Sequence, residues 1–191
     1  CLLTTIKTQL AGIHNVYNTL AVVAALNEAG VELKKLAQYF YPFTGMGRRF
    51  QKVCEFNGIT VYDDYAHHPT EIKAALQAAA SKFGKENVVA VFQPHRFTRL
   101  QSLWKEFLTA FENAGRVIVT DVYAASEDSI EGINGENFAA ELSCEYVSGN
   151  MQDVARKLMP SLKKGDVVIG LGAGTITNLG KELCKLETIL R

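Results

Sequence analysis

Short apolar runs rich in β-branched residues recur along the chain with helical patterning between them, and this alternation restricts the fold more than any other feature. The runs are Ile59 to Tyr62, Asn87 to Phe92, Arg116 to Asp121, Cys144 to Val147 and Asp166 to Leu171. Strands alternating with helices predict an α/β architecture, a mostly parallel, doubly wound sheet flanked by helices. Val88-Val-Ala-Val-Phe92 is apolar at every position, as a strand covered on both faces must be. Asn57-Gly58 is a two-residue hairpin signal, so a further strand, Gln51 to Glu55, should turn back as Ile59 to Tyr62.

The helices carry their own punctuation. Pro69 and Glu71 suit the first turn of a helix that continues through the Ala-rich run Ile72 to Ala80. Thr98 and Gln101 have capping-box spacing, which predicts a helix from there to Asn113. Others are expected at Asn134 to Leu142, at Met151 to Met159 and after the glycine run Gly170 to Gly180. Ahead of all this, Gly12 to Gly30 reads as a helix with Val16, Leu20, Val23 and Leu26 three or four apart, and Val31 to Phe40 as a second, shorter one. Tyr41 to Gly47, with one proline and two glycines, breaks the periodicity and is the candidate linker between two domains, 1–46 and 47–191.

A composition of 48% hydrophobic and 21% charged residues is that of a globular protein with a real core. The formal net charge of zero supplies no global field for nucleic acid or an anionic membrane, so any basic site must be local. No apolar run approaches the roughly 20 residues of a membrane span, which excludes membrane insertion by a helix, and no signal peptide is evident. Both point to the cytoplasm. Cys1, Cys54, Cys144 and Cys184 are scattered without C-x-x-C pairing and are expected to be reduced, mostly buried thiols. The start at a cysteine in mid-pattern suggests a fragment of a longer protein.

Chemistry concentrates at the ends of two strands. Asp63, Asp64, Tyr65, His67 and His68 follow one strand, in the crossover loop where open α/β sheets place ligands. His95, Arg96 and Arg99 follow the next, with both arginines at a helix N-terminus, where the dipole disfavours cations. A bound carboxylate or phosphate surrounded by both loops would explain that choice. The plainer alternatives are that Asp64 caps a backbone turn, that His68 caps the helix, and that the arginines pair with surface acids. Asn15 and Asn18 share a helix face and would suit a planar edge such as a purine base, or simply cap the helix. Arg48-Arg49 at the linker is either a solvated pair or a phosphate clamp. Gly170-Leu-Gly-Ala-Gly-Thr-Ile-Thr-Asn-Leu-Gly180 is a near miss for both the dinucleotide fingerprint and the P-loop, and reads as a tight strand-to-helix turn.

Taken together, Gly12-Ile-His-Asn-Val-Tyr-Asn18, Gly47-Arg-Arg-Phe50, Asp63-Asp-Tyr-Ala-His-His-Pro-Thr-Glu71, Gln93-Pro-His-Arg-Phe-Thr-Arg99 and Asp121-Val-Tyr-Ala-Ala125 closely resemble the carboxyl-terminal part of the Mur ligases. Within that family they resemble the branch that attaches L-alanine to UDP-N-acetylmuramate with ATP, the first step of the peptidoglycan stem. The resemblance implies that residues 1–46 are the helical tail of a central ATP-binding domain and 47–191 a Rossmann-like closing domain. It implies that Asn15 and Asn18 contact adenine, that Arg49 reaches the nucleotide, and that Asp64 holds the ribose. Tyr65, His67, His95, Arg96 and Arg99 would surround the alanine and the muramoyl carboxylate, with His67, His95 and Arg96 as the catalytic candidates. The implied partners are ATP, magnesium, UDP-N-acetylmuramate, L-alanine and the missing amino-terminal and central domains. No metal site is expected in this chain, because magnesium would be held in the central domain. Lacking a Gly-x-x-Gly-Lys-Thr loop, the chain alone is expected to be inactive. Alternatives are a ligase that recycles murein tripeptide, a stand-alone nucleotide- or anion-binding module, and, on the glycines alone, a dehydrogenase.

Overall fold

A computed structural model describes residues 4–10, 12–43 and 45–190. The chain divides into two units, Cys1–Gly47 and Arg48–Arg191. In the first, α1 spans Ile13–Glu28 and α2 spans Leu33–Phe40, with Gly30 at φ 80° ending the first helix. The asparagines do not cap α1: its N-cap is Gly12, without a side-chain bond. Ile13, Tyr17 and Leu20 on α1 are 65%, 66% and 57% exposed, and Tyr39, Tyr41, Phe43 and Met46 also face outward. Thr44, in the expected linker, lies outside the described residues.

The second unit is a six-stranded sheet in the order β1-β2-β6-β3-β4-β5. The strands are β1 Gln51–Phe56, β2 Ile59–Asp64, β3 Val88–Phe92, β4 Arg116–Thr120, β5 Glu145–Val147 and β6 Val167–Leu171. Only β1 runs antiparallel, joined to β2 by Asn57 and Gly58 at φ 48° and 76°, the left-handed pair that a tight hairpin needs. All other pairings are parallel.

Alternate residues of each strand feed two cores. On one face Val88, Ala90 and Phe92 pack with Ile72, Leu76, Leu100, Phe107 and Phe138, beneath α3 (Pro69–Phe83), α4 (Phe97–Ser102), α5 (Trp104–Leu108) and α6 (Gly135–Leu142). On the other, Val89 and Val91 meet Val154, Leu158, Leu179 and Leu183 of α7 (Met151–Leu158) and α8 (Leu179–Leu190). Helices thus cover both faces of the Rossmann-like sheet, which accounts for the unbroken apolar strand. No described helix is long and apolar enough to cross a membrane.

Two sequence expectations are corrected. The helix expected from Thr98 to Asn113 breaks at Leu103 into α4 and α5, and begins at Phe97 with no side-chain cap. Thr98 instead gives its hydroxyl to Glu127, a partner 29 residues away that local spacing does not reveal. The cysteines are not all free thiols: Cys54 of β1 and Cys184 of α8 form a disulfide, because the last helix packs against the first strand. Cys144 is free, and burial pushes its thiol up to about 11.

Candidate active site

Every parallel strand delivers its loop to the same edge of the sheet, so the segments after β2, β6, β3 and β4 are neighbours there. The β6 loop lies between the β2 and β3 loops and must stay low. A Cβ on Gly172 would come within 2.7 Å of the Gln93 carbonyl, and one on Gly174 within 2.6 Å of both Gln93 Oε1 and the Tyr123 ring. The glycine run is therefore a tight strand-to-helix turn, as expected, whose missing side chains let the neighbouring loops close over it. Buried Gln93 locks it from above: its Oε1 accepts from Ile176 N at 2.9 Å and its Nε2 donates to Thr175 Oγ1 at 3.0 Å.

The β2 end is fixed by two buried carboxylates. Asp63 Oδ2 accepts from Arg48 Nε at 3.0 Å and from Thr177 Oγ1 at 2.7 Å, and Arg48 also donates to the Gly172 carbonyl at 2.6 Å. Asp64 accepts from Phe50 N at 2.7 Å and from Ala66 N at 2.8 Å. Burial raises its pKa, against the lowering effect of the Ala66 and Phe50 bonds. Asp64 thus closes the local turn anticipated as the plainer reading. His68 likewise is the N-cap of α3, accepting from Thr70 N at 3.3 Å while Glu71 Oε2 accepts from the His67 and His68 amides.

With those residues anchoring backbone, the remaining groups converge. The Tyr65 ring lies 5.0 Å from His67, which lies 6.1 Å from His95. Arg48 and Arg49 sit 4.9 and 6.0 Å from the centre of the Tyr65 ring, and Arg49 is 3.9 Å from Glu71. His95 stacks on Tyr123, with centroids 5.4 Å apart, and receives Arg99 Nη1 on Nδ1 at 3.0 Å. Arg96 takes a positive φ of 72°, uncommon outside glycine, and is held there by its N–H to the Tyr123 carbonyl at 2.9 Å. Burial and then the Arg99 charge push the His95 pKa down. The arrangement is a cationic, partly exposed cluster with two imidazoles at its centre, suited to carboxylate or phosphoryl oxygens. Among the described residues, no three His, Cys, Asp or Glu side chains are grouped to hold a metal ion.

The structure therefore gathers Tyr65, His67, His95, Arg96, Arg99 and Arg49 at one edge, with Asp64 beneath. Asn15 and Asn18 belong to the other unit, on the first turns of α1. The sequence reading gave no role to Gln93, Tyr123 or Glu127, whose importance arises from contacts between loops distant in the chain.

The model for the Mur ligase, glutamate ligase domain matches residues 48–174. The chain belongs to the Mur ligase family. A UDP-N-acetylmuramate–L-alanine ligase of Caldicellulosiruptor bescii is 48% identical over 176 residues, covering 90% of this chain and 38% of that protein. One from Desulfotalea psychrophila is 42% identical over 92% of this chain and 39% of its own length. The chain thus spans about two fifths of these Mur ligases, and matches their carboxyl-terminal part. Among solved structures, the Thermotoga maritima UDP-N-acetylmuramate–alanine ligase superposes over 97% of this chain and 40% of its own with a TM-score of 0.79 and 28% identity. A murein peptide ligase from Psychrobacter arcticus shares the fold at 20% identity and a TM-score of 0.66.

Proposed function

We propose that this chain is the closing portion of an ATP-dependent ligase that joins L-alanine to UDP-N-acetylmuramate in peptidoglycan synthesis. The observation that carries the reading is the convergence of Tyr65, His67, His95, Arg96 and Arg99 at the carboxyl ends of β2 and β3. Relatives 42% and 48% identical bear the alanine ligase name, which favours alanine over murein tripeptide.

In this scheme the lactyl carboxylate attacks the γ-phosphate of ATP, ADP leaves, and the amine of alanine displaces phosphate from the acyl phosphate. The cations of this chain hold the carboxylate and the transferring oxygens, and closure of the parent over them excludes water from the reactive anhydride. Asn15 and Asn18 would contact adenine, Arg49 the nucleotide phosphates, and Asp64 the ribose through lone pairs left by its backbone bonds. Magnesium would be held by the upstream part of the parent protein. The outward apolar side chains of α1 support the reading of residues 1–46 as the tail of a central domain that covers them.

The test is alanine-dependent phosphate release from ATP and UDP-N-acetylmuramate, measured on the intact parent and on the 191-residue chain. Activity in the parent only is expected. Activity in the isolated chain, or a parent that prefers the tripeptide, would sink the proposal.

A further inference from the structure

The two imidazoles at the centre of the cluster are held in opposite tautomers. His67 Nδ1 lies 2.9 Å from the Tyr65 carbonyl and 3.4 Å from Glu71 Oε2. A carbonyl oxygen can only accept, so Nδ1 carries the proton, and in the neutral ring Nε2 holds the lone pair. His95 is the reverse. Its Nδ1 lies 3.0 Å from Arg99 Nη1, and a guanidinium can only donate, so Nδ1 accepts and the proton resides on Nε2. Arg99 donates from the same nitrogen to the His95 carbonyl at 3.3 Å, which fixes the guanidinium in place.

The surroundings reinforce each state. His67 faces the Glu71 carboxylate from α3, the Tyr65 ring from its own loop, and His95 from the β3 loop. A carboxylate on Nδ1–H holds the ring's orientation and fixes which nitrogen carries the lone pair. His95 faces Arg99 and Arg96 from its own loop and α4, His67 from the β2 loop, and Tyr123 and Glu127 from the β4 loop. A proton added at its Nδ1 would meet the Arg99 guanidinium head on. One ring is prepared to take a proton and the other to give a hydrogen bond, with centroids 6.1 Å apart.

We infer that His67 Nε2 is the base that deprotonates the amine nucleophile, that Glu71 is its positioning residue, and that His95 Nε2–H is a fixed donor to the anionic oxygen beside that amine. This rests on the ligase reading. The α-ammonium of alanine transfers one proton to His67 Nε2, freeing the nitrogen lone pair. The C–N bond then forms at the acyl carbon while the bond from that carbon to the phosphate oxygen breaks. Phosphate leaves with the electron pair and takes the second nitrogen proton, so the products are the amide and hydrogen phosphate. His95 donates to the oxygen that bears charge during this displacement and keeps its own proton throughout.

The tautomers are read directly from long-range nitrogen–proton NMR correlations of ¹⁵N-histidine-labelled 191-residue chain above neutral pH. Nδ1–H for His67 and Nε2–H for His95 are expected, and the opposite assignment for either overturns the inference without touching the ligase reading. In the intact parent, His67→Gln should lower kcat with alanine about 100-fold or more while leaving KM for the nucleotide sugar within about threefold. Hydroxylamine, an amine already unprotonated at neutral pH, should react in His67→Gln at close to the unsubstituted rate. Glu71→Gln keeps a cap acceptor for α3 and should show the same split with a smaller loss, about tenfold. Alanine turnover retained in His67→Gln, or equal loss with both nucleophiles, overturns the inference. An unsubstituted parent without alanine-dependent phosphate release brings down the ligase reading itself.

Discussion

Arg48, the first residue of the larger unit, donates from Nε to the buried Asp63 carboxylate at 3.0 Å, tying the start of that unit to the end of β2. The same guanidinium reaches the Gly172 carbonyl, so one side chain joins the start of the unit to the turn after its last strand. Asp63 Oδ1 has no hydrogen-bond partner, which leaves the carboxylate dependent on Arg48 and Thr177. Arg48→Ala strands that charge. Because the Arg48 side chain is a quarter exposed, the loss of stability should fall near the lower end of the about 3–5 kcal/mol typical of broken buried pairs. Urea unfolding of the 191-residue chain measures it, and a loss below about 1 kcal/mol would contradict the assigned role.

Glu127 splints the arginine loop from outside. It accepts from Thr98 N at 3.0 Å and Thr98 Oγ1 at 2.6 Å, and those bonds, the hydroxyl first, hold its pKa below the usual glutamate value. Glu127→Ala should raise KM for the substrates of the intact parent about three- to tenfold while altering thermal stability little, since its bonds to Thr98 lie at the surface. Glu127→Gln, which keeps one acceptor, should lie between the two.

Arg96 and Arg116 are both arginines beside strand ends, and only Arg96 acts electrostatically on His95. Arg116 is committed to Glu145 through two bonds of 2.6 and 2.8 Å. In the intact parent Arg96→Ala should cut kcat/KM at least about tenfold, the loss of one charge-assisted contact, and Arg116→Ala less than threefold. Equal effects would remove Arg96 from the site.

The Cys54–Cys184 disulfide spans 130 residues and closes nearly the whole larger unit into a loop. Constraint of so long a loop in the unfolded chain is worth up to about 5 kcal/mol on chain-entropy grounds, above the about 2–4 kcal/mol typical of disulfides. Reductant, or Cys54→Ser, should therefore lower the thermal midpoint by several degrees. Alkylation at neutral pH before reduction should leave both residues unlabelled, and Cys144 should react slowly because burial holds its thiol near 11.

The sheet was legible because each strand is a contiguous run with its own composition, and the hairpin because Asn57-Gly58 allows little else. The cluster of Tyr65, His67, His95 and Arg99 was legible because both loops follow strands of one parallel sheet, and such loops emerge on one side. The α4 break, the Thr98–Glu127 bond and the disulfide were not, because each depends on a partner brought near by packing rather than by spacing. The histidines divide in the same way. His68 as a cap follows from Pro69 and Glu71 beside it, whereas the tautomer of His95 required knowing where Arg99 points.

The strand order carries a consequence for the chain during its synthesis. β6 is inserted between β2 and β3, so the centre of the sheet is the last strand to leave the ribosome. Val167 follows Phe92 by about seventy-five residues, or roughly 4–15 s of translation at about 5–20 residues per second. Throughout that interval β2 and β3 each lack the strand that will lie between them, and so each presents an unpaired apolar edge. The sheet cannot close until the segment that ends at Leu171 arrives, and open strand edges of this kind are what make an unfinished chain prone to aggregate.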